Sequence, residues 1–145
     1  MFRPVAQLPL DYSVFKDKKS VFSWAPSGAI LFGNGASERT GTELRNLGVK
    51  NATLVTDQGL VKFGIADRII ASINEAGIEL SVYDQCEPDS SVETVNQIAE
   101  LGKDSDVLIG LGGGSSIDPA KAAAIIITNG GDIRDYQGCD KFTKA

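Results

Sequence analysis

Apolar and polar positions alternate between two periods along this chain. Ala29 to Phe32 forms a short apolar run closed by Gly33-Asn34-Gly35, which predicts a first strand and turn, then a helix to about Leu47 stopped by Gly48. Ala52 to Thr56 predicts a second strand. Ile65, Ile69, Ile70 and Ile73 fall on one helical face, and Gly77 ends that segment. Glu79 to Tyr83 alternates as a strand does. Ser91 then offers an N-cap to a helix whose stripe is Val95, Ile98, Ala99 and Leu101. Val107 to Leu111 predicts a fourth strand, and Asp118 to Ile127 an Ala-rich, well-buried helix with Pro119 in its first turn.

Strands that alternate with helices across short connections predict an α/β domain. Its expected form is a Rossmann-like parallel sheet with helices on both faces. It should occupy residues 29–145 as a single domain, behind an extended N-terminal arm of residues 1–28 with Pro4, Pro9, Pro26 and scattered aromatics. Ligands of such sheets bind beyond the carboxyl ends of the strands, which directs attention to the residues after Thr56, Tyr83 and Leu111.

The segment after the last strand is the most specific. Gly112-Gly-Gly-Ser-Ser-Ile-Asp-Pro-Ala-Lys121 places side-chain-free backbone ahead of a helix, where N–H groups and the helix dipole favour a phosphate. It is not the ordinary dinucleotide fingerprint, because Ser115 stands where the last glycine of G-x-G-x-x-G would fall. It is not an ATPase loop, because no Gly-Lys-Ser/Thr follows. Asp57, at the end of the second strand, can bond the hydroxyls of an adenosine ribose and repel a 2′-phosphate, or can cap the helix after it. Asp118 can reach a ribose or amide farther along the ligand, or pair locally with Lys121. The loop Asp84 to Ser91 brings short polar side chains to the same crevice.

Composition narrows the chemistry. Apolar content of 42% and charged content of 23% suit a globular domain, and no run is long and apolar enough for a membrane span. A net charge of −5 leaves no footprint for nucleic acid or an anionic membrane. No secretory leader is visible, and Cys86 and Cys139 form no close pair, so two free thiols in the cytoplasm are expected. The chain contains no histidine, which removes every His base, triad and metal site. No catalytic and no metal-ligating residue is assigned within it.

The glycine segment resembles the GGGSxxDxAK element of iron-containing (group III) alcohol dehydrogenases. Val55-Thr-Asp-Gln-Gly-Leu60 is similar to their VTDxGL segment, Phe32-Gly-Asn-Gly-Ala36 to their opening turn, and Glu87-Pro-Asp-Ser-Ser91 to their loop after the third strand. The resemblance runs from about Ile30 to Gly138. It implies an N-terminal NAD(P)-binding domain and, in full-length members only, an all-helical domain holding iron or zinc through one Asp and three His. That helical domain is absent from this chain, so the chain is expected to be the cofactor portion of a longer protein, inactive alone.

The implied reaction is reversible hydride transfer between a small-molecule alcohol and NAD, with NADP less favoured. By resemblance Asp57 holds the ribose, Gly113, Gly114, Ser115 and Ser116 hold the pyrophosphate, Asp118 lies toward the nicotinamide, and Asp89 joins the cofactor set. Asp89-Ser90 replaces the Asn-Pro of many members and resembles the hydroxyacid–oxoacid transhydrogenase branch, one alternative reading. A glycerol dehydrogenase-type relative is another. A stand-alone nucleotide-binding module, or a homo-oligomer built through the arm, remains from outside the enzyme class.

Overall fold

The computed structural model describes residues 28–138 and 141. The chain divides into two units, Met1–Leu31 and Phe32–Ala145. Of the first, only residues 28–31 are described, and none of them lies in a helix or strand. The rest of the expected arm, and Cys139, lie outside the described residues.

The second unit begins with a 3₁₀ turn over Ala36–Arg39 and then α1 (Thr40–Asn46). It continues with β1 (Asn51–Val55), α2 (Gln58–Lys62), α3 (Ile65–Glu75), β2 (Glu79–Tyr83), α4 (Val92–Gly102), β3 (Val107–Gly110) and α5 (Gly114–Asn129). A 3₁₀ turn over Ile133–Tyr136 closes the described part. The three strands are parallel in the order β2-β1-β3, with Ala52 opposite Leu80 on one side and Val107 on the other. Gly48 and Gly77 end α1 and α3 as the pattern requires, and Ser91 caps α4 by accepting from the Thr94 N–H at 3.1 Å.

The period of two in β1 sorts its side chains into two cores. Ala52 and Leu54 pack with Leu44 of α1, Ile69 and Ile73 of α3, and Ile78. Val55 faces the other way, onto Val95, Ile98 and Ala99 of α4 and Ala120 and Ala123 of α5. The sheet therefore carries α1 and α3 on one face and α4 and α5 on the other, the Rossmann-like layering expected.

Two expectations fail locally. The strand at Ala29–Phe32 is not formed: Phe32 is fully exposed and Ile30 is 72% exposed, and no described strand pairs with them. An apolar quartet supplies β propensity, but a strand exists only where a ladder partner is in register. The last helix starts at Gly114, four residues before Asp118, so Pro119 sits in its second turn rather than its first. Burial of Ser116 and Ala120 and the packing of Ile117 over Gly110 override the poor helix propensity of glycine there.

One carboxylate ties the entry edge of the sheet. Asp106 accepts from the Lys50 N–H (2.8 Å) and the Asn51 N–H (3.0 Å), and its own N–H donates to the Asn51 carbonyl at 2.9 Å. These backbone donors hold its pKa below the ordinary carboxylate value. A depressed folded-state pKa stabilises above the unfolded value of 3.8, and that support is lost as pH falls through the folded value. Asp106→Ala is therefore expected to unfold more readily than the parent at neutral pH. In acid titrations followed by circular dichroism, the difference should narrow below about pH 4. A gap that persists unchanged in acid would assign the effect to packing instead.

Candidate functional site

The carboxyl ends of the strands converge on the glycine segment. The Leu111 N–H donates to the Val55 carbonyl at 2.8 Å, which locks the exit of β3 against β1. Gly112 then takes φ 135°, in the region that favours glycine, and a Cβ there would press on Ser116 Oγ at 3.0 Å and Leu60 Cδ1 at 3.2 Å. Gly113 occupies the N-cap of α5 in extended backbone, with no side chain to cap the first turn. Its carbonyl accepts from the Ser116 and Ile117 N–H groups at 3.1 and 3.0 Å. A Cβ added at Gly113 would meet nothing within 4 Å. The position a side chain would take at Gly113 is therefore open, and no side chain caps the N–H groups of Gly114 and Ser115.

A cleft of about 600 Å³ begins at the next residue, Gly114. Gly114, Ser115, Asp118 and Pro119 of α5 form one wall and Asp89 and Ser90 the other. The opposing wall is shaped by Asp89, which adopts φ 56°, unusual for a residue other than glycine. Ser90 crosses the gap and donates to the Ser115 carbonyl at 2.8 Å.

Four of the seven sequence-derived cofactor residues, Asp89, Gly114, Ser115 and Asp118, thus share one cleft. Gly113 adjoins them as the helix cap. Ser116 points inward with its hydroxyl buried beside the Cys86 thiol, and Thr56 Oγ1 is buried with no hydrogen-bond partner. The Cys86 thiol lies nearby, buried and free, and burial first of all raises its pKa, with the Ser116 hydroxyl acting in the opposite sense. Tyr83, at the end of β2, donates to Gln97 Oε1 at 2.8 Å, and burial is the main cause that raises its phenol pKa.

Asp57 stands apart from the cleft, at the carboxyl end of β1. Its Oδ1 accepts from the Leu60 N–H at 3.0 Å and caps α2, the role that competes with ribose binding. Asp118 likewise makes the local contact, an exposed pair with Lys121 at 3.2 Å. The sequence reading did not assign Ser90 or Pro119 to the site. Their signal was present in the polar loop after β2 and in a proline inside a helical stretch.

No described helix is long and apolar enough to cross a membrane. Among the described residues no group of three His, Cys, Asp or Glu converges to hold a metal.

A parallel sheet with a glycine-lined helix at its carboxyl edge, whose N-cap carries no side chain, defines a Rossmann-like α/β domain. The model of the iron-containing alcohol dehydrogenase family matches residues 27–145, and the chain belongs to that family. It is 44% identical over 113 residues to choline dehydrogenase of Bacillus subtilis (strain 168), covering 77% of this chain and 28% of that relative. Among solved structures it resembles NADH-dependent butanol dehydrogenase A of Thermotoga maritima, with a TM-score of 0.74 and 30% identity over 79% of this chain and 30% of that one. Sulfoacetaldehyde reductase of Bifidobacterium kashiwanohense in complex with NAD+ matches with a TM-score of 0.71 and 28% identity, covering 84% of this chain and 32% of that one. The chain spans less than a third of the length of the curated relative.

Proposed function

We propose that this chain is the NAD-binding portion of a cytoplasmic, metal-dependent alcohol dehydrogenase that acts on a small-molecule alcohol. The observation that carries the reading is the open N-terminus of α5, where Gly113 leaves room that no side chain uses. NAD, when bound, supplies the hydride acceptor. The backbone N–H groups of Gly113, Gly114 and Ser115 bind its pyrophosphate, helped by the dipole of α5. The buried Ser116 hydroxyl backs the same turn. Asp57 keeps Oδ1 on the helix cap and offers its second oxygen to the adenosine ribose. Asp89 and Asp118 line the cleft, Asp118 on the side of the nicotinamide and Asp89 as a further cofactor contact.

The residues present do not fit the catalytic metal of the family: the chain has no histidine, and the described carboxylates do not converge. We therefore assign binding and orientation of the cofactor to this chain and no turnover of alcohol. Metal-dependent oxidation of an alcohol by residues 1–145 alone would overturn that assignment.

Cofactor choice is tested by titrating NAD and NADP against the chain and against Asp57→Ser, which retains a cap but not the charge. The parent should prefer NAD, and the variant should lose about tenfold of that preference at unchanged stability. Equal affinities in the parent would remove Asp57 from the ribose site, and binding of neither nucleotide would sink the reading.

A further inference from the structure

Pro119 deletes one hydrogen bond from the helix that forms the cleft. In an α-helix the N–H of residue 119 would close on the carbonyl of residue 115, but proline has no N–H and its ring crowds that carbonyl. The acceptor left without its helical donor is therefore the Ser115 carbonyl, in the first turn of α5. Ser90 Oγ stands 2.8 Å from that oxygen and 3.1 Å from the Glu87 carbonyl of its own loop. A hydroxyl has a single proton, and the shorter distance belongs to Ser115. The turn at Asp89, with φ 56°, brings Ser90 across the cleft.

We propose that Ser90 is a positioning residue: its hydroxyl replaces the helical donor that Pro119 removes, latches the loop after β2 to the first turn of α5, and so sets the width of the dinucleotide cleft. Neither residue has this role without the other. With an N–H at position 119 the Ser115 carbonyl would already accept one hydrogen bond within the helix, and Ser90 would supply its second rather than its first. The ligand named here rests on the NAD-binding reading above, whereas the latch itself rests on the hydrogen bond alone.

The test is a double-mutant cycle on the chain: parent, Ser90→Ala, Pro119→Ala, and both together, with Ser90→Thr as the conservative variant. Each is measured for NAD affinity and for its urea unfolding midpoint. Ser90→Ala should raise the Kd for NAD about fivefold and lower the midpoint slightly, consistent with loss of one hydrogen bond to an exposed acceptor. In the Pro119→Ala background the same substitution should cost clearly less, because the new N–H already bonds the Ser115 carbonyl. Ser90→Thr should behave as the parent. If Ser90→Ala alone fails to fold, its recovery by Pro119→Ala carries the same meaning.

Equal losses in both backgrounds, or an unchanged Kd for Ser90→Ala, would overturn the proposal. If the parent binds no NAD, the dinucleotide reading fails by itself. The four midpoints then still report whether residues 90 and 119 are coupled, and additive midpoints would defeat the latch.

Discussion

Gly113→Asp is expected to make the chain more stable and to abolish NAD binding. An Asp at the N-cap accepts from first-turn N–H groups and sits well with the helix dipole, a gain of about 0.5–1 kcal/mol. The site can take it, because Gly113 is in extended backbone and a Cβ there meets nothing within 4 Å. The same carboxylate would occupy the place of the pyrophosphate and repel it. A loss of at least about a hundredfold in affinity is expected, roughly 2.8 kcal/mol. The opposite signs make the result diagnostic. A glycine kept for folding would show a stability loss, whereas a glycine kept for a ligand shows a stability gain with binding lost. Thermal unfolding and NAD titration of one protein preparation decide between them. Unchanged NAD affinity in a well-folded variant would show that phosphate does not approach this backbone.

Gly41→Ala should have the largest effect on stability, a loss of about 3 kcal/mol in chemical unfolding. Helix propensity alone predicts the reverse, since alanine is better than glycine by about 1 kcal/mol within a helix. The packing decides. Gly41 is buried in α1, its N–H donates to Ser72 Oγ at 3.0 Å, and Ser72 Oγ donates in turn to the Glu38 carbonyl at 2.6 Å. A Cβ on Gly41 falls on the Ser72 carbonyl of α3. Backbone atoms do not yield as a flexible side chain does. Relief therefore requires α1 to move from α3, which opens the contact of Leu44 with Ile69 and Ile73. A variant as stable as the parent would show that α1 is free to shift.

The fold was largely legible because its signals are local. Each strand of the sheet is an apolar or alternating run bounded by turn residues, and each crossover helix carries a stripe with a cap or a glycine stop. The run at 29–32 misled because four apolar residues look alike with or without a partner strand. The start of α5 was misplaced for a related reason. Gly114 and two serines oppose a helix locally, and the burial of Ser116 and the seat of Ile117 against Gly110 hold those residues in one.

Within the candidate site, the glycine segment and the carboxylates could be named from residue order, but their assembly could not. Asp89 and Ser115 are brought to one cleft by the pairing of β1 with both β2 and β3, a non-local arrangement. Asp57 follows β1 and caps α2, and it does not line that cleft.

By itself, then, the sequence determined the α/β alternation, the anion-favouring glycine turn and the absence of any histidine, because these depend on residue type and spacing. Tertiary structure alone decided that Ser90 reaches the carbonyl left open by Pro119, that Gly41 is a contact point between helices, and that Gly113 faces empty space. Each of these is a distance between atoms remote in the chain or a volume left unfilled, and neither is encoded in any local window.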